Sequence, residues 1–178
     1  MAKITLLMFI AGISVSTCVS ADFDIKGVRI GMTKEELGAA HPGLDCGVIC
    51  YHADTLSSRH AKTLETLAGV HVKTWWFKFA PDGKLTSSSA ILRSSSGPVV
   101  TSAFIEKFGK PTAVETAEFK TAAGYRGPKQ TTSWADGDTV VTVSYPYGKI
   151  TEMKVEIYSK AQREAEIEAF KSKSKKDL

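Results

Sequence analysis

The stretch Trp75-Trp76-Phe77-Lys78-Phe79 constrains the fold more than any other part of the chain. Side chains along a strand alternate between two faces. A period of two therefore puts Trp75, Phe77 and Phe79 on one face and Trp76 and Lys78 on the other. Pro81-Asp82-Gly83 follows as turn chemistry, with proline presetting φ and glycine free to take φ > 0. The return strand is expected over residues 84 to about 92, which makes residues 71–93 a hairpin.

Further alternation lies near the end. Residues 132–134 and 139–145 read as two strands separated by Ala135-Asp136-Gly137-Asp138, and Pro146-Tyr147-Gly148 turns the chain into a third over 150–158. In that last strand Met153, Val155 and Ile157 face inward while Glu152, Lys154 and Glu156 face water, the pattern of an antiparallel strand with one wet face. Residues 47–51 suggest a short strand, and Val28 and Ile30 alternate with polar neighbours in another.

Four helices are expected between the strands. Thr33 is placed as an N-cap with Glu36 three residues on, a capping box, and Met32 and Leu37 occupy the two positions of a hydrophobic staple. Pro42-Gly43 stops this helix near His41. Leu56, Leu64, Leu67 and Ala68 suggest a second helix ending at Gly69. A third begins near Pro98, stacks Val100, Phe104 and Phe108 at i+4 with Val99 and Ala103 beside them, and ends at Gly109 before Pro111. Ser159 and Gln162 open the last helix, which carries Ala161, Ala165, Ala169 and Phe170 and frays into a basic flexible tail at 171–178. Residues 115–129 read as a long loop. Strands joined by hairpin turns and covered by amphipathic helices give an α+β domain: one antiparallel sheet packed on one face by short helices, in two layers. A single domain over 22–170 is expected, with halves 22–95 and 96–170 similar enough to suggest a diverged duplication.

The first residues read as an address. Lys3 is positively charged, residues 4–13 are almost all apolar, and Val19-Ser20-Ala21 offers small residues for cleavage before Asp22. That is the layout of a secretory signal peptide over 1–21, and its apolar run is short of the roughly 20 residues a bilayer span needs. The expected product is exported, either periplasmic or secreted. Cys18 would leave with the leader; a lipoprotein would instead retain it as the lipidated residue, a role that Val15-Ser16-Thr17 fits poorly. Cys46 and Cys50 then remain, and two thiols in an oxidising compartment are expected to pair. The loop is short, so the gain lies at the small end of the ~2–4 kcal/mol range.

The segment Val28-Arg29-Ile30-Gly31-Met32-Thr33-Lys34-Glu35-Glu36-Leu37 resembles the opening of small exported domains of the SmpA/BamE outer-membrane-assembly type. It is similar also to the repeats of the β-lactamase inhibitor protein, which begin with a Gly-Met-Thr helix start. Phe108-Gly109-Lys110-Pro111 resembles the helix end of such domains. The resemblance implies helices carried on an antiparallel sheet and a protein-binding role, and it brings no catalytic residues. Members of the assembly family are typically shorter lipoproteins, from which this chain departs.

Thiolate and imidazole are zinc ligands, so Cys46, Cys50 and His52 with His41, His60 or His71 form one candidate metal site. Export favours the disulfide over it, and no metal or cofactor is expected. No Gly-x-Ser-x-Gly elbow, His-Glu-x-x-His or phosphate-binding loop is present, and no catalytic residue is assigned. A formal net charge of +4 is too mild to imply a nucleic-acid partner; the lysine-rich tail is a candidate for weak contact with anionic envelope polymer. The expected function is non-catalytic binding of a protein partner, as an envelope-assembly accessory or an inhibitor of a secreted enzyme. The alternative is a small cell-envelope hydrolase or metal-dependent enzyme. Trp76, Tyr125, Arg126 and Lys129 are the candidate contact residues, since aromatic and arginine side chains dominate interface hot spots.

Overall fold

Local capping builds the first helix, α1 (Lys34–Ala40). The Thr33 side chain accepts from the Glu36 backbone N–H at 3.2 Å, and the Glu36 carboxylate accepts from the Thr33 N–H at 2.7 Å. Met32 and Leu37 are both buried in the core, as a staple requires. Ahead of α1, Ile25 and Val28 form an isolated bridge around a tight turn rather than the strand expected at 28–30. A computed structural model describes residues 23–46, 50–53 and 62–176; residues 45–46, 50–53 and 175–176 are described by their backbone alone.

The strands that follow are β1 (Asp45–Cys46), β2 (Cys50–Ala53), β3 (Thr66–Leu67), β4 (Val70–His71), β5 (Thr74–Phe79) and β6 (Leu85–Arg93). Then come α2 (Gly97–Phe108), β7 (Ala113–Lys120), β8 (Arg126–Asp136), β9 (Thr139–Tyr145), β10 (Glu152–Ser159) and α3 (Lys160–Lys176). The fold is α+β. Eight strands form one antiparallel sheet in the order β1-β2-β5-β6-β10-β9-β8-β7, with β3 and β4 a separate pair. The order runs inward from both edges. Each half of the chain contributes a helix and then four strands, and the halves meet where β6 pairs β10, with Ala90 opposite Val155.

One sheet face carries the core. Register aligns Trp75, Ala90, Val155, Val143 and Thr132 across five strands, with Phe77, Ser88, Ile157, Val141 and Trp134 in the next row. Phe104 of α2 packs on Trp134 with ring centroids 5.8 Å apart, and Phe108 lies 5.0 Å from Phe23 and 6.3 Å from Trp134. Each half also buries one indole N–H on a backbone carbonyl: Trp75 donates to Leu64 and Trp134 to Gly109, both at 2.9 Å.

Four further expectations are corrected. The helix expected to end at Gly69 is absent over 62–69, where a single 3₁₀ turn (Lys62–Leu64) leads into the β3–β4 hairpin. Ala68 and Gly69 take positive φ, 50° and 74°, which no helix continues through, and the Leu64 carbonyl accepts from the Trp75 indole; Leu56 lies outside the described residues. The loop expected over 115–129 is a hairpin arm, β7 paired with β8 from Ala113–Ser133 to Lys120–Arg126. Most of its side chains are exposed on both faces, so no apolar alternation marks it. Glu156, expected in water, is only 9% exposed because Lys154 and Arg163 close over it at 2.8 and 2.7 Å. The last helix does not fray at Lys171 but continues to Lys176.

That last helix also departs from a single covered face. α1 and α2 lie on the core side. α3 crosses the other side, where Arg163 bonds Glu156 of β10 and Glu166 bonds Lys78 of β5 at 2.6 Å. Its cap comes from the β8–β9 turn: Asp138 accepts from the Ala161 N–H at 2.8 Å and from the Ser159 hydroxyl at 2.5 Å, and Ser159 in turn accepts from the Gln162 N–H at 3.2 Å.

Candidate binding surface

Alternation along β5 delivers Trp76 to the side of the sheet away from α1 and α2. Trp75 is 1% exposed and Trp76 is 44% exposed. Across the ladder Trp76 faces Ser89, and Lys78 faces Ser87. Small side chains beside a large ring leave a trough. It is a groove of about 480 Å³ lined by Lys34, Trp76, Phe79, Pro81, Ser87 and Ser89. The tight β5–β6 turn closes one end: Gly83 (φ 81°) donates to the Ala80 carbonyl at 2.9 Å, and Asp82 accepts from the Lys84 N–H at 3.1 Å.

The groove is apolar along its walls and cationic at its rim. Lys34 stands over the Phe79 ring, 5.5 Å from its centroid, and makes no ion pair among the described residues. Lys78 is held by Glu166, so α3 borders the same side of the sheet. Further along α3, Phe170 is 74% exposed. The Arg163 guanidinium lies 3.3 Å from the centroid of the Tyr158 ring, a stacked cation–π contact that anchors the start of α3. The geometry gathers an indole face, two serine hydroxyls and the Lys78 ammonium on the sheet, with the Lys34 ammonium from α1 beside them.

The other candidate residues lie elsewhere. Tyr125 sits at the tip of the β7–β8 arm, its N–H donating to Thr121 Oγ1 at 3.2 Å. Arg126 lies 3.6 Å from Glu118, which Lys120 also approaches at 3.0 Å. Five inter-strand steps separate β5 from β7 in the sheet order, or roughly 24 Å at about 4.8 Å per step. Register places Lys129 on the Trp76 face, opposite Ala117, and Arg126 on the other. The four candidates thus form two separate patches.

Cys46 and Cys50 are register partners across β1 and β2; their side chains, and those of His52 and His60, lie outside what is described. Among the described residues no three His, Cys, Asp or Glu side chains gather in a way that would hold a metal ion. His41 ends α1, buried, with Nδ1 2.8 Å from Thr63 Oγ1. Burial, and secondarily the nearby Lys26 charge, push its pKa below the ordinary histidine value. Sequence reasoning missed two elements of this surface. The Ser87-Ser88-Ser89 run was the signal for the groove floor. The reach of α3 over the sheet had no local signal.

Comparison of the chain with protein-family models, with curated proteins and with solved structures finds no match. No helix of the described residues is long and apolar enough to cross a membrane.

Proposed function

We propose that this chain is an exported, non-catalytic protein-binding module, an envelope-assembly accessory or an inhibitor of a secreted enzyme, whose contact surface centres on Trp76. One observation carries the reading: a tryptophan 44% exposed over a groove on a sheet face, beside a second tryptophan buried by the same strand. Tryptophan is a favoured hot-spot residue. A second observation supports it. In each half a helix precedes four strands of the large sheet, which accords with the helix-on-antiparallel-sheet repeats that the Gly-Met-Thr resemblance implies. Lys129 belongs to the same face; Tyr125 and Arg126 form a second, independent contact candidate at the arm tip.

Export and the disulfide belong to the same proposal. Directly opposed residues of an antiparallel pair have Cα atoms about 4.5–5.5 Å apart, inside the roughly 4.4–6.8 Å that a disulfide spans. The register of Cys46 with Cys50 therefore supports a bond between them. Non-reducing peptide mapping of exported protein, with intact mass starting at Asp22, is the expected result.

The decisive experiment captures the partner from the host envelope with the mature chain, then titrates it against wild type and Trp76→Ala by calorimetry. A loss of at least about thirtyfold in affinity, or about 2 kcal/mol, is expected, with an unchanged unfolding midpoint. Equal affinities would remove Trp76 from the contact. Turnover of a substrate panel that chelation abolishes would replace this reading with the metal-dependent enzyme.

A further inference from the structure

On the helix-covered side of the sheet, two tight turns converge on α2. Ile25 and Val28 pair around Lys26-Gly27, and Leu67 pairs with Val70 around Ala68-Gly69. Both central residues of each turn have positive φ: 56° and 82° in the first, 50° and 74° in the second. This is the type I′ hairpin geometry, for which asparagine or aspartate before glycine is preferred. Lysine and alanine sit in a left-handed conformation at a steric cost that asparagine would reduce. The positions are thus occupied against backbone preference, and both residues line one cleft.

A half-open cleft of about 180 Å³ lies between the turns and α2, lined by Ile25, Leu67, Ala103 and Phe104, by the lysines Lys26 and Lys107, and by Asp24. Ile25, Leu67 and Phe104 belong to the packed core, so the wall is fixed and apolar. The lysines are held in place mainly by neutral carbonyls. Lys26 Nζ donates to Thr66 O at 2.8 Å, and Lys107 Nζ to Asp24 O at 2.6 Å, with the Asp24 carboxylate 3.4 Å away. Two ammonium groups and one carboxylate line the same hollow, a net excess of one positive charge. An apolar cavity of about 150 Å³ admits a benzene ring, so this one takes a group of that size, and its excess positive charge favours an anion.

We propose that this cleft binds a small aromatic carboxylate, the ring against Phe104 and Ala103 and the carboxylate between Lys26 and Lys107. The site is independent of the Trp76 surface, so failure of either reading leaves the other standing. The test titrates the intact chain with phenylacetate while following the Ala68 and Ala103 methyl signals by NMR, with phenylacetamide as the neutral twin. Saturable shifts of both methyls are expected, with the amide at least about tenfold weaker because it forfeits the charge-assisted bonds. Lys26→Asn removes one ammonium where asparagine suits the backbone; it should weaken phenylacetate by about fivefold while the unfolding midpoint holds or rises. Ala103→Leu fills the cleft and should abolish saturation. Absence of saturation in the parent, equal affinity for acid and amide, or a titration unchanged in both variants would each overturn the proposal.

Discussion

The two halves of the chain use the same elements for different ends. In the first, Trp75 and Phe77 of β5 lie in the core with Leu37 of α1, and the hairpin presents Trp76 over a groove. In the second, α2 encloses Trp134, and the β7–β8 hairpin runs out past the core as an arm with Val114 59% exposed. Both halves seat a buried indole on a backbone carbonyl. The difference lies in how far each hairpin outruns its helix. A strand covered on one face shows its alternation; a strand covered on neither shows none. The comparison teaches that strand pairing is set by backbone hydrogen bonds, while its visibility in sequence depends on burial.

The heaviest test of the likeness is to remove each indole. Trp75→Ala and Trp134→Ala should each cost about 3–5 kcal/mol by denaturant unfolding, since both are fully buried. A clear inequality, with Trp134→Ala cheap, would show that the second half is held by its sheet rather than by α2.

Two glycines sharpen the contrast at the next level. A Cβ on Gly97 would stand 2.6 Å from the Tyr145 ring, and one on Gly127 would stand 2.5 Å from the Tyr125 hydroxyl. Tyr145 is anchored by its hydroxyl, which donates to Gln130 at 3.0 Å, so Gly97→Ala should cost about 1–3 kcal/mol by overpacking. Tyr125 is half-exposed and free to swing at the arm tip. Gly127→Ala should therefore be the mildest change of all, within about 0.5 kcal/mol. Equal costs would mean the arm tip is as rigid as the core.

Capping compares the halves again. Thr33→Ala removes a cap made within one turn of sequence, and Asp138→Ala removes one made from a distant turn; each should cost about 1 kcal/mol. Coincident midpoints for Thr33→Ala and parent would dismiss the capping box as a stabiliser.

Acid should separate the halves by pH. The His41 pKa is lowered in the folded state, so its contribution is full above the unfolded value of about 6.5 and is lost as pH falls through the folded one. The Ser159 hydroxyl and the Ala161 N–H hold the Asp138 carboxyl below its ordinary value, so its contribution survives until pH falls below about 3.9. Urea midpoints should decline between pH 7.5 and 5.5 in the parent and hold in His41→Gln. An unchanged slope would assign that decline to another group.

Most of the first half was legible because its signals are local. The α1 capping box, the Trp75–Trp76 alternation and the Pro81-Asp82-Gly83 turn each act within a few residues, and each stands as read, apart from a β-bulge at Lys78–Phe79 that shifts the register. Gly109 likewise ends α2 with φ 78°. The candidate surface was half legible: alternation separated Trp76 from Trp75, but nothing in the chain told that Lys34 would stand over Phe79 or that Glu166 would reach Lys78.

What the amino-acid order determined alone was therefore whatever rests on local spacing: the start of α1, the ends of α1 and α2, the facing of most residues along covered strands, and the α+β class. Tertiary structure decided the rest. It made the mostly exposed 115–129 segment a hairpin arm, because ladder bonds need a partner and not an apolar pattern. It turned residues 66–71 into a hairpin, with the Leu64 carbonyl before it accepting from the Trp75 indole. It laid α3 across the open face, because Asp138 of the β8–β9 turn caps the helix and Lys78 of β5 pairs with Glu166, both far from α3 in sequence, while Tyr158 and Glu156 of the adjoining β10 hold Arg163. Each of these depends on groups brought together by folding, and residue spacing carries no record of such meetings.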